Sequence, residues 1–342
     1  MPPEAQPLST AFADFCNDYL DRVAAQTRQG GTGFRAGLAR FTLHEGVKVV
    51  TPWAVEQFET VTPEQDDPQI YLVYDDLPDH PIVALMNRIG YHAVEALLAE
   101  IGCTGFYHSD TRHLEFYNPA RRIGLRVLPD ITACPVWERT APLANFVAWT
   151  NAGLGGFMLH AATLANRSSG ALICGRGGRG KSLMTLAGVA AGLDSVGDDY
   201  VVVSRAGHGY QAVQCARTAK QTPKGLDMLG AWGESLKVGE LNWQGKHVFQ
   251  LPVRAANQPL QVNAIVVPTI AATTQITPIK RGDVFRHLTE STLYQLAGNQ
   301  KAVSAFCAGM IRDLPVFGFD MGPDLAVNAA HFDRFLREQV AG

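Results

Sequence analysis

Apolar positions in the first third of the chain follow two different periods. Phe12, Phe15, Cys16, Tyr19, Leu20 and Val23 fall on one face of a 3.6-residue repeat, which predicts an amphipathic helix over Ser9 to Gln26 with Ser9 or Thr10 as its cap. Gly30-Gly31 interrupts the pattern; FRAGLARF and GVKVVTP then read as short paired strands, and IYLVYDD from Ile70 as another. Ile82, Leu85, Ile89, Ala93, Leu97 and Ile101 return to helical spacing and predict a second amphipathic helix stopped by Gly102. In HLEFYNPARRIGLRVLP two alternating runs meet near Asn118-Pro119, a hairpin pattern.

The patterning lapses at CPVWERTAP, where Pro135 and Pro142 bracket a segment with neither period, so the chain divides there into residues 1–138 and 139–342. The first part is expected to be a smaller α+β domain serving substrate or partner recognition. Beyond the boundary, Thr140 to Asn166 forms a run of 27 residues without Asp, Glu, Lys or Arg, long enough on length alone to cross a bilayer. Its centre reads Thr150-Asn151-Ala152-Gly153-Leu154-Gly155-Gly156, which would break backbone pairing where lipid demands it. It is therefore expected to be buried core: a short helix from Leu143 to Trp149, a glycine turn, then a buried segment from Phe157 to Leu164. Apolar strands, helices and glycine turns alternate from there on, the order of an α/β domain.

Composition narrows the function only by exclusion. The net charge of −3 over 342 residues leaves no basic surface for nucleic acid. Cys16, Cys103, Cys134, Cys174, Cys215 and Cys307 show no zinc-ligand spacing and read as reduced structural residues of a cytoplasmic protein. His108 and His113 in HSDTRH read as loop histidines rather than metal ligands. The opening MPPEAQPLSTAF lacks the pattern of an export signal, and no membrane association is expected.

One stretch carries chemistry. ALICGRGGRGKSLMTLAGVAAG sets a short buried strand, Ala171 to Cys174, before a loop of Gly175, Arg176, Gly177, Gly178, Arg179 and Gly180, and then opens a helix at Lys181, Ser182 and Leu183. Glycines let such a loop turn its N–H groups inward on an anion, and the helix adds its positive end to the same point. In that arrangement Lys181 reaches the β- and γ-phosphates of a nucleotide and the Ser182 hydroxyl holds Mg²⁺. Arg176 and Arg179 add charge, directed at phosphate or at solvent. Asp198 and Asp199 follow Lys181 by 17 and 18 positions, between two apolar runs. They are expected where the neighbouring strand of a βαβ unit ends beside the loop, one carboxylate for the metal and one to accept a proton.

Taken together, MLHAATLA, GALICGRGGRGKS and SVGDDYVVV resemble the catalytic domain of the HPr kinase/phosphorylase family and its HPr-kinase-like serine kinase relatives. The resemblance covers about residues 140 to 340. It implies an α/β, P-loop-containing HPr kinase/phosphoenolpyruvate carboxykinase-like catalytic domain that uses ATP and Mg²⁺. It also implies Asp199 as the proton acceptor, Lys181 and the loop on the phosphates, Ser182 at the metal and His160 in the active site, which leaves Asp198 as the carboxylate for the metal. RTAK, ending at Lys220, and LPVR, ending at Arg254, resemble later family segments, and Arg254 or Lys220 would stand in for groups the chain lacks. The family's Glu- and Arg-bearing signature loop has no counterpart after Val213, so HPr itself and the reverse phosphorolysis are not expected. Phosphoryl transfer to a hydroxyl of a peptide, a protein or a small molecule is the leading expectation. The alternatives are a nucleotide-sensing module without transfer and a phosphoenolpyruvate carboxykinase-like enzyme. Family members often assemble, which leaves room for a homo-oligomer.

Overall fold

The computed structural model describes residues 7–26, 30–167, 169–255, 257–293 and 296–340. The first part of the chain runs α1 (Leu8–Gln26), β1 (Thr32–Ala36), β2 (Ala39–Glu45), α2 (Thr51–Gln57), β3 (Glu59–Val61), β4 (Gln69–Tyr74), α3 (Pro81–Ile89), α4 (Tyr91–Glu100), β5 (Thr104–His108), β6 (His113–Asn118) and β7 (Ile123–Leu128). Its strands form one seven-stranded sheet in the order β3-β1-β2-β4-β7-β6-β5. The apolar stripe of α1 packs with α3 and α4 on one face, where Phe12, Leu20, Met86, Leu98, Phe116 and Val127 are buried together.

Two expectations fail here. FRAGLARF is itself the hairpin, β1 and β2 turning at Gly37-Leu38, while GVKVVTP is an irregular bend that leads into α2. Pro52 fixes the backbone for a helix start and removes a strand donor, and helix wins. The single helix expected from Ile82 to Ile101 is two, because Gly90 takes a φ of +79° between α3 and α4.

The remaining elements are α5 (Ala144–Ala152), β8 (Gly156–Leu159), β9 (Ala161–Ala165), β10 (Gly170–Cys174), α6 (Lys181–Ala190), β11 (Val201–Ala206), β12 (Gly209–Gln214), β13 (Thr218–Gln221), α7 (Pro223–Asp227), α8 (Gly230–Ser235), β14 (His247–Gln250), β15 (Leu260–Val262), β16 (Ala264–Ile270), β17 (Gln275–Pro278), α9 (Arg281–Leu293), α10 (Gln300–Asp313), β18 (Val316–Met321) and α11 (Leu325–Phe335). They build a five-stranded sheet, β17-β18-β16-β10-β9, a four-stranded sheet, β15-β12-β11-β8, and the two-stranded ribbon β13-β14. The architecture is mixed α/β. Among the described residues no helix is long and apolar enough to cross a membrane.

The uncharged run from Thr140 is interior: α5 buries Phe146, Val147 and Trp149, while β8 and β9 are almost wholly covered. α5 lies between the two halves. Phe34, Phe41 and Phe58 from the seven-stranded sheet share its core with Met158, Val202 and Val213 from the four-stranded one. Asn151, fully buried on α5, donates to Ala36 O at 2.9 Å and accepts from Leu38 N at 2.7 Å, so one side chain satisfies the turn of the first hairpin. A second contact reaches the ribbon, where Arg217 N donates to Gln57 O at 2.8 Å and Gln250 Nε2 to Glu56 O at 2.9 Å.

Candidate functional site

β10 is buried along its whole length and runs parallel to β16 and antiparallel to β9. From its end the chain passes through Gly175 to Gly180 and enters α6 at Lys181. Gly178 and Gly180 hold φ values of +80° and +96°, which L side chains resist, and a Cβ on Gly180 would meet the Met321 methyl at 2.3 Å. The first intrahelical bond of α6 joins Met184 N to Gly180 O at 2.8 Å, leaving the Lys181, Ser182 and Leu183 amides to face out of the helix start. The positive end of the helix dipole is therefore at the loop.

Lys181 is only 7% exposed, and its ammonium donates to Gly175 O at 2.7 Å across the loop. Burial lowers its pKa, and the nearby Asp198 and Asp199 oppose that shift. Asp198 is 1% exposed. Burial and the adjacent Asp199 push its carboxyl up to about 6, while the Ser182 hydroxyl and the Lys181 and Lys220 ammonium groups favour the charged form. Neither Asp198 oxygen has a well-aligned hydrogen-bond partner. A buried carboxylate in that condition is costly unless something else completes it.

Asp199 is held quite differently. Its φ of +74° turns the chain sharply, a conformation Asp tolerates better than most residues. One oxygen lies 3.1 Å from His160 Nε2, and the other is ion-paired with the Lys220 ammonium. Burial alone would raise its pKa, but Lys220 and His160 overcome that and hold the carboxyl well below the usual range.

The route by which these residues meet differs from the expected βαβ unit. After α6 the chain runs beside β9, not β10: Asp194 and Ala165 exchange backbone bonds at 2.8 Å, and Thr163 N donates to Gly197 O at 3.2 Å. It then turns at Asp199 into β11, which belongs to the four-stranded sheet and pairs antiparallel with β8. β9 has already taken the hydrogen-bonding edge of β10 that a crossover strand would need. His160 is the one residue between β8 and β9, where the chain steps from the four-stranded to the five-stranded sheet. Because Val201 is paired with Leu159, the residues just before β11 face the one just after β8, and Asp199 meets His160.

Of the other residues singled out in the sequence, Arg176 bonds Glu290 on α9, with Nε at 2.7 Å, and Arg179 donates to Thr269 at 3.2 Å. Arg254 is engaged with Asp194 at 2.6 Å and Pro259 O at 3.4 Å, on the segment leading to the acid pair rather than with Lys181, Asp198 or Asp199. Lys220, on the ribbon, is ion-paired with Asp199. His113 faces buried Glu115 at 3.2 Å, and no group of three or more His, Cys, Asp and Glu among the described residues could hold a metal by itself. Glu290 and Thr292, whose hydroxyl accepts from His160 N at 3.1 Å, lie on α9 about a hundred residues past the loop, where no period in the sequence marks either as a site residue.

No family model matches the chain, and no curated protein matches it. Among solved structures, the HPr(Ser) kinase/phosphatase from Coxiella burnetii is similar over 53% of this chain and 98% of its own, at 13% identity and a TM-score of 0.27. A likeness that distant decides neither the chemistry nor the lineage of the chain.

Proposed function

We propose that this protein is a kinase that binds ATP with Mg²⁺ at the Gly175–Ser182 loop, used as a P-loop, and moves the γ-phosphoryl group to a hydroxyl of a peptide, a protein or a small molecule. The observation that carries the reading is the pair of unsatisfied, buried Asp198 oxygens beside Ser182 at the mouth of a helix-capped glycine loop. That donor set fits Mg²⁺, which is usually held by one or two carboxylates and hydroxyls together with substrate phosphates rather than by a full protein cage. Asp198 and Ser182 would hold the ion, and bound there it would neutralise phosphate charge during transfer.

The chain's own groups supply the rest. The loop amides and Lys181, released from Gly175 O, take up the β- and γ-phosphates. Asp199 orients the acceptor hydroxyl and accepts its proton. Its ion pair with Lys220 makes it a weak base, which suits a loose transition state in which the proton leaves late and catalysis is mostly positioning and electrostatics. His160, held through its backbone by Thr292 and through its ring by Asp199, fixes the direction of that carboxylate.

The commitment of Asp199 to two partners also favours a second reading, a nucleotide sensor that binds ATP without transfer. One experiment separates them. Purified protein is incubated with γ-labelled ATP, Mg²⁺ and an extract of its own cells; a labelled acceptor that is absent with Asp199→Asn supports the kinase. Saturable ATP binding with no labelled product would sink it.

A further inference from the structure

The three parallel strands of the five-stranded sheet, β10, β16 and β18, run the same way and end at Cys174, Ile270 and Met321. The carboxyl ends of parallel strands are where such sheets open a crevice for a ligand. β10 has a neighbour on each edge. The acids come from the β9 side, because residues 194–197 run along β9 before the chain turns at Asp199. On the β16 side stands Ile270, whose side chain is 64% exposed, more than any other large apolar residue among those described. Ala271 and Ala272 follow it, half-buried and exposed.

Single exposed apolar side chains are ordinary on a protein surface. This one is built into the site. An added Cβ at Gly180 would lie 3.6 Å from Ile270 Cγ1, so the side chain borders the last glycine of the loop. The residue before it, Thr269, accepts from Arg179 Nη1 at 3.2 Å, which ties the same loop to the end of β16. The turn that follows is braced: Ala271 N donates to Met321 O at 2.8 Å, and the Thr274 hydroxyl donates to Asn328 Oδ1 at 2.7 Å. Asn328, fully buried, also accepts from Gly322 N at 3.1 Å and donates to Gly322 O at 2.8 Å. An apolar surface held in place beforehand loses little freedom when a flat ring covers it.

We propose that Ile270, with Ala271 and Ala272, is the platform on which the nucleobase lies, while the triphosphate runs across the loop to end at Asp198 and Asp199. This rests on the kinase reading of the same loop. A nucleotide whose phosphates lie on Gly175–Ser182, with the terminal one facing the acids, leaves its nucleoside for the other edge of β10. There Ile270 offers the apolar area that a purine ring buries and a phosphate does not.

The test is calorimetric titration of the full chain, as wild type, Ile270→Ser and Ile270→Leu, with Mg²⁺-ATP and with Mg²⁺-tripolyphosphate, which carries the phosphates and no base. The wild type should bind ATP more tightly than tripolyphosphate. Ile270→Ser should weaken ATP about tenfold, the scale of one apolar side chain's contact, and leave tripolyphosphate within about twofold, while Ile270→Leu keeps its ATP affinity. Equal loss of both ligands would mean that Ile270 acts by shaping the loop through Gly180, and no loss of ATP would mean that nothing lies on it; either result overturns the inference and leaves the kinase reading standing. So would a wild type that holds tripolyphosphate as tightly as ATP. If tripolyphosphate binds no form measurably, the inference stands only on a tenfold loss of ATP in Ile270→Ser that Ile270→Leu does not show. A wild-type chain that binds neither ligand takes down the kinase reading, and the inference with it.

Discussion

Nε2 of His160 lies 3.1 Å from Oδ1 of Asp199, a contact between residues 39 apart in sequence that is made because β8 and β11 pair antiparallel. The other oxygen of that carboxylate is taken by Lys220. Asp199→Asn keeps the side chain's shape, and Asn accepts the left-handed backbone as readily as Asp. Phosphoryl transfer is expected to fall by about a hundredfold or more, the scale of a lost general base, with nucleotide affinity nearly unchanged. Turnover and mant-ATP titration on the same preparation check both halves.

Asp198 makes the folded protein sensitive to pH. Its carboxyl has a pKa of about 6 when folded against 3.8 for the ordinary group, so the native state favours the proton. The associated stability is fully present below pH 3.8 and is lost as pH rises through about 6. At neutral pH the ionised, unsatisfied group costs about 3 kcal/mol. Asp198→Asn is therefore expected to raise the thermal midpoint of the nucleotide-free protein above pH 6, with the gain vanishing toward pH 4, and to abolish Mg²⁺-dependent ATP binding. Melting curves across that range, with and without Mg²⁺-ATP, read both effects.

Lys181 spans the loop to Gly175 O. ATP at a hundredfold excess over its dissociation constant should stabilise the wild-type protein by about 2.7 kcal/mol. In Lys181→Ala that stabilisation is expected to disappear at the same ATP concentration, as seen by urea denaturation.

Two loop glycines should respond differently to the same change. Gly180→Ala forces a side chain into φ +96° and against the Met321 methyl, and should cost about 1–2 kcal/mol. At Gly177 no atom lies within 4 Å of an added Cβ and φ is ordinary, so Gly177→Ala should leave stability unchanged. Chemical denaturation of the two variants gives the comparison.

Between the seven-stranded sheet and α5, Arg126 donates to Glu115 at 2.8 Å and to Glu138 at 2.9 Å, and Glu138 also accepts from Leu143 N at 2.9 Å; all three charged groups are buried. Glu138→Ala removes one partner and strands the rest, which should cost about 3–5 kcal/mol. Glu138→Gln keeps one accepting oxygen while its amide N–H replaces the other, so it should cost less than the alanine but still destabilise. Equilibrium unfolding of the pair tests whether this knot braces the segment leading into α5.

Local pattern in the sequence was enough to specify α1, the hairpin β6-β7, the buried α5 and the strand–glycine-loop–helix unit from β10 to α6. Each depends on interactions within about twenty residues: a 3.6-residue apolar repeat, a two-residue alternation, glycines where φ turns positive. Lys181, Ser182 and Asp198 were legible for the same reason, since the loop and the acids that follow it lie within one continuous segment. The tertiary structure alone decided that β9 occupies the edge of β10, so that the acids approach through a turn into a second sheet rather than along a βαβ crossover. It also placed Lys220 on Asp199, Arg254 on Asp194 and Glu290 on Arg176. Those pairings span 21 to 114 residues. No local period encodes them; they follow from which strand edges are filled and which ribbon face is left toward the loop, and that is settled only when the sheets pack.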